Sequence, residues 1–171
     1  MALEIAVNDL YSAEASAKFL PTEEDLALWF KEIASRLEGD FHVAVTFVTP
    51  EYIAELNHQY RGKNYPTNVL SFEFMADEHE TEALGFTELG DMIICPPVLE
   101  REAVEQEKPL EHHWAHICIH GMLHLLGYDH IEPEEAEEME GKEKEFLAQL
   151  GIPDPYRDEQ EHLDELRQSL E

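Results

Sequence analysis

The sequence predicts an α+β (or mixed α/β) fold of roughly four strands and five or six helices. Three observations lead there. Segments of alternating apolar residues come early and are interleaved with segments of helical period. Helical patterning dominates after residue 97. The chain has 171 residues, 43% of them hydrophobic, enough to bury one core but not two. Residues 1–156 are read as a single domain and residues 157–171 as an acidic tail.

The elements follow in order. Residues 3–7 alternate and end at Asn8-Asp9, which predicts a short strand. Pro21-Thr22-Glu23-Glu24-Asp25 starts a helix, with Thr22 as N-cap and acids in the first turn. Leu26, Trp29, Phe30, Ile33 and Leu37 continue it at helical spacing, and Gly39 ends it. Residues 41–48 alternate with β-branched side chains and predict a strand. Thr49-Pro50-Glu51 opens a helix carrying Ile53, Leu56 and Tyr60, which runs into Arg61-Gly62. After a loop, residues 69–74 read as a strand. Residues 75–88 are acidic and contain Gly85, and are expected to form a mobile loop. Residues 89–95 read as a buried strand stopped by Pro96-Pro97, and residues 98–107 as a helix. Pro109-Leu110 opens a long apolar helix through Leu126, ended by Gly127. Residues 133–150 form a Glu-rich helix with Met139, Phe146, Leu147 and Leu150 available for packing, and Pro153 and Pro155 follow the break. The tail is expected to fray, with a helix over 158–170 as the alternative.

Charge restricts function. The chain holds 39 acidic against 11 basic residues, a net charge of −28. Binding nucleic acid or an anionic membrane by bulk electrostatics is excluded. Self-repulsion favours a soluble monomer or a loose assembly. The start of the chain has no basic segment followed by an apolar one, and no stretch is long and apolar enough to span a bilayer. Cys95 and Cys118 sit in apolar runs outside any CxxC pair, and read as reduced, buried thiols of a cytosolic protein.

The histidines carry the chemistry. Six of the ten fall between His112 and His130. On a helix His120 and His124 are one turn apart on one face, and Gly127 permits the turn that brings His130 back beside them. Three imidazoles with an open fourth position are the pattern of a catalytic zinc site, although nickel, copper or iron share the ligand type. His116 lies one turn earlier on the same face. It is a candidate to support the ligands or move a proton, or a helix-face residue without a role. His112 and His113 are expected to be solvated, and Asp129 to serve the turn or to accept from a ligating ring. The spacing HxxxHxxGxxH is similar to the zinc motif of metzincin proteases, but Gly121 stands where those carry a catalytic glutamate. Between residues 41 and 100 the only bases are Arg61 and Lys63, flanking Gly62, in a stretch (56–72) without any acid. They could grip a phosphate, or simply complement a helix C-terminus.

Three motifs in one order are similar to the YbeY family of bacterial rRNA-maturation endoribonucleases, over about residues 40–156. They are Tyr60-Arg61-Gly62-Lys63 with Pro66-Thr67-Asn68-Val69-Leu70-Ser71-Phe72, then Leu89-Gly90-Asp91-Met92-Ile93, then the segment from His120 to His130. The resemblance implies a cytoplasmic, zinc-dependent nuclease specific for single-stranded RNA, acting in 16S rRNA 3′-end maturation and ribosome quality control. It implies a small mixed sheet packed by helices, with one Zn²⁺ per chain on His120, His124 and His130 in a cleft between sheet and helices. It implies a functional arginine at Arg61, and rRNA with ribosome-associated proteins, rather than DNA or membrane, as partners. Two alternatives stay open: a zinc peptidase or amidase, and a non-catalytic ribosome assembly factor with a structural metal.

Overall fold

The computed structural model describes residues 2–74, 78–128 and 132–156. His130, Asp129 and the tail from 157 lie outside the described residues. The order is β1 (Ala2–Asp9), α1 (Glu23–Ser35), β2 (Asp40–Phe47), α2 (Pro50–Arg61), β3 (Val69–Glu73), α3 (Glu78–Leu84), β4 (Thr87–Ile94), α4 (Pro96–Glu105), α5 (Leu110–Leu125) and α6 (Pro133–Gln149). The expected mixed sheet is present, four strands in the order β1-β2-β4-β3. β1, β2 and β4 run parallel, and β3 pairs antiparallel with β4.

Local signals place the helix starts. Thr22 and Asp25 form a reciprocal capping box at α1, with bonds of 3.1 and 2.9 Å. The Thr49 hydroxyl caps α2 from the Tyr52 N–H, with Pro50 at the first helical position. Two expectations are corrected. Residues 78–84, read as mobile loop, form α3, because the Glu-rich, glycine-free run before Gly85 favours a helix. The helix expected from residue 98 begins at Pro96: the Pro96-Pro97 pair follows the end of β4, as expected, and also opens α4, since proline fits the first turn where its missing N–H costs nothing.

The sheet buries both faces, unequally. On one side α1, α5 and α6 enclose the main core, where Val43, Val45, Phe47, Met92 and Ile94 meet Phe30, Trp114, Met122 and Phe146. Phe47 meets the Trp114 ring edge-on at 5.4 Å. On the other side α2 covers a smaller core of Val48, Ile53, Leu70, Ile93, Cys95 and Val98. Cys95 and Cys118 are free thiols at zero exposure, as expected; burial pushes both thiols up, Cys95 to about 11.

Two glycines set how closely the layers approach. A Cβ at Gly121 would lie 2.6 Å from the Met92 sulfur, so α5 rests almost directly on β4. The Ser71 hydroxyl reinforces this by donating to the Gly121 carbonyl at 3.3 Å. Gly90 sits beside the register shift between β2 and β4 at φ +140°, and a Cβ there would lie 2.1 Å from the Phe72 carbonyl oxygen.

These contacts order two substitutions. Gly121→Ala should cost about 1–3 kcal/mol, because the Met92 thioether can yield. Gly90→Ala should cost more than about 3 kcal/mol, because a backbone oxygen cannot. Urea unfolding of both variants measures the difference.

Candidate metal centre

α5 is buried nearly all round. From His112 to Leu125 the positions that are not buried are 112, 116, 120 and 124, and every one is histidine. A spacing of four turns these side chains onto one stripe along the helix. The rings follow one another edge-on, His116 to His120 at 6.4 Å and His120 to His124 at 4.7 Å. The structure therefore brings together three of the sequence-predicted site residues. His130 lies outside the described residues, and among those described no group of three His, Cys, Asp or Glu side chains forms a metal cage.

Carboxylates stand behind the stripe. Glu143 of α6 has zero exposure, and its Oε1 takes the Nδ1 of His120. Its Oε2 accepts from the Tyr156 hydroxyl at 2.5 Å and lies 3.7 Å from the Nε2 of His116. Because the phenol donates to Glu143, His116 Nε2–H is left to donate to the phenol oxygen at 3.4 Å. Burial alone would raise the Glu143 carboxyl; the adjacent His116 and His120 rings outweigh it and bring the group down to about 2. His116 moves the other way from its partners' pull, held below the ordinary histidine value chiefly by burial.

A second histidine–carboxylate pair lies at the start of the stripe. His113, expected in solvent, is buried, and its Nε2 meets Glu102 of α4 at 3.0 Å. Glu102 also accepts from the Asn68 amide at 3.2 Å. Burial opposes its charge, but the bonds from His113 and Asn68 prevail and lower it. Asn68 immediately precedes β3, so this pair ties α4 and α5 to the strand. A cleft of about 210 Å³ opens along this row, lined by Asn68, Glu102, His113, His116, His120 and Tyr156 among others.

Arg61 is the last residue of α2, and Gly62 beyond it takes the left-handed conformation at φ +69°. Arg61 and Lys63 are exposed, and among the described residues neither side chain has a hydrogen bond or ion pair. The cations are thus available to a phosphate, at the end of the helix facing solvent rather than in contact with the histidine stripe.

The donor set suits a zinc ion. Two imidazoles one turn apart, with a carboxylate on the Nδ1 of one, leave Nε2 as the nitrogen directed away from the protein's own anion. Sequence reasoning missed Glu143 among the many glutamates of its helix. Its signal was position: it shares a stripe with Met139, Phe146 and Leu147, all buried.

Comparison with known proteins settles the family. A family profile described as Endoribonuclease YbeY matches residues 12–151. The chain belongs to the YbeY endoribonuclease family. It is also similar to the solution structure of TM1509 from Thermotoga maritima, with 29% identity and a TM-score of 0.56 over 94% of this chain and 93% of that one. Membership makes the chain a nuclease that acts on RNA, of a family that works in rRNA processing. Among the described residues no helix is long and apolar enough to cross a membrane.

Stability should fall in two stages with acid. His116 is lowered in the fold, so its contribution is lost as pH drops below about 6.5. Glu143 and Glu102 are also lowered, so theirs is present above about 4.5 and is lost below it, for Glu143 down to about 2. Glu143 accounts for about 3 kcal/mol of that loss. Urea midpoints between pH 8 and pH 3 measure it; a midpoint that is flat or rises on acidification contradicts the pairing.

Proposed function

We propose that this chain is a zinc-dependent endoribonuclease that cuts single-stranded RNA. It acts in 16S rRNA 3′-end maturation and ribosome quality control, in the cytoplasm and with ribosome-associated proteins. The observation that carries the reading is the histidine stripe on an otherwise buried helix, in a chain of the YbeY family. His120, His124 and His130 are the residues that would hold the metal, one ion per chain. A bound zinc supplies Lewis acidity toward a phosphodiester and a lowered pKa for water.

The chain's own groups do the rest. Arg61, without a carboxylate partner among the described residues, neutralises charge on phosphate oxygens through its planar, bidentate guanidinium. Lys63 helps to hold the strand across the Gly62 turn. His116 is the proton-moving candidate: its Nε2–H, directed at the Tyr156 hydroxyl, is the hydrogen it would give up, and Nδ1 is the nitrogen that would accept one. Peptide hydrolysis is less well served, because Gly121 brings no carboxylate to the position where metzincins place theirs and is packed against Met92.

The charge distribution shapes substrate capture. Arg61 and Lys63 stand in a stretch free of acids, within a chain of net charge −28. Affinity for free RNA is therefore weak and strongly salt-dependent, and partners on the ribosome supply selectivity.

A nuclease-free preparation should cleave single-stranded RNA but not casein, and chelator or His124→Ala should abolish cleavage. Arg61→Ala should lower cleavage by about 10²-fold with zinc content unchanged. Cleavage of casein, or undiminished RNA cleavage by the zinc-depleted protein, would overturn the reading.

A further inference from the structure

We propose that Glu143 is the positioning residue for His120, and that residues 152–156 brace it through the Tyr156 hydroxyl. The proposal rests on reading the histidine stripe as a metal centre.

Each oxygen of Glu143 has one task. Oε1 takes the Nδ1 of His120, and Oε2 receives the Tyr156 hydroxyl at 2.5 Å. A carboxylate held at both oxygens cannot rotate without breaking a bond. It therefore fixes the plane of the imidazole as well as its tautomer, because an ionised carboxylate only accepts. His120 must carry its proton on Nδ1, which puts the lone pair on Nε2, where a metal would take it.

The brace comes from a part of the chain that looks like a mere helix end. Lys108 Nζ donates to the Pro155 carbonyl at 2.5 Å. Lys144, one residue past Glu143, reaches Asp154 at 3.7 Å and lies over the Tyr156 ring at 5.8 Å. The Asp154 carboxylate accepts from the Tyr156 N–H at 2.8 Å. The Tyr156 ring packs edge-on against His116 at 5.5 Å. α5, α6 and this strap, which follows α6 directly, thus converge on one ring. A purely structural burial of Glu143 would require partners for its charge, but it would not require those partners to define which nitrogen of His120 holds the proton.

The test uses the full chain and zinc alone as probe. Glu143→Gln should weaken zinc binding by about 10–100-fold. Tyr156→Phe, which removes one hydroxyl from a partly exposed side chain, should weaken it by about threefold to tenfold. In the metal-free wild type, long-range ¹H–¹⁵N spectra should show His120 with its proton on Nδ1, and Glu143→Gln should show a mixture of tautomers. Zinc affinity within about twofold of wild type in a folded Glu143→Gln overturns the proposal, as does an Nε2–H tautomer at His120 in the wild type. Where Glu143→Gln does not fold, Tyr156→Phe and the wild-type tautomer decide. A wild type that binds no zinc overturns the proposal together with the metal reading. Zinc binding that depends on Glu143, in a protein that cuts no RNA, supports the proposal and overturns the proposed activity instead.

Discussion

The closeness of α5 to the sheet governs the rest of the molecule. At Gly121 the helix has no side chain to hold it off β4, and Met92 fills the space a methyl group would need. A helix pressed this far into a core must be apolar on nearly every side, and α5 is. It retains one open stripe of histidines, and the one buried polar side chain beside it, His113, is paired with Glu102. Histidine suits that stripe because it can be half-buried when neutral and still offer a nitrogen donor. The same closeness makes the stripe a wall of a cleft, with Asn68 at the head of β3 contributing to the other side.

The acidic character of the chain becomes more specific in this light. Most of its carboxylates are surface charges that solubilise the protein and repel polyanions. Two stand apart, Glu143 fully buried and Glu102 half-buried, each matched to a histidine on α5. Removing the histidines from Glu143 would strand a buried charge, which is far more damaging than losing a surface ion pair. The two carboxylates also fasten the flanking helices: Glu102 brings α4 to the start of the stripe and Glu143 brings α6 to its middle. The carboxylates paired with the histidines of α5 are thus also the ones that hold the walls of the cleft together.

Much of this was legible in the sequence. The four strands, the main helices between and after them, and the helix starts at Thr22 and at Thr49-Pro50 follow from period and end signals, which are local. The stripe from His116 to His124 follows from helical spacing alone. What could not be read was pairing across distance. His113 looked like a surface histidine because nothing nearby in the sequence announces Glu102 or Asn68. Glu143 was hidden by composition, one glutamate among many, although its alignment with Met139 and Phe146 marked it as facing inward. α3 was obscured because acidity and a following glycine suggest a loop as readily as a short helix. Tyr156 gave no periodic signal, since its segment is held by individual contacts with Lys108 and Glu143.

The two thiols have a consequence of a different kind. Cys118 lies on α5, on the side turned away from the histidine stripe and sealed into the main core, while Cys95 is in the smaller core under α2. Alkylating reagents and peroxides attack thiolates, and burial suppresses the thiolate form of both. Modification of Cys118 must wait for α5 to leave the sheet, and modification of Cys95 for the opposite layer to open. The protein thereby carries one built-in chemical clock for each face of its sheet. The two rates would report separately how often each layer lifts, without any added label.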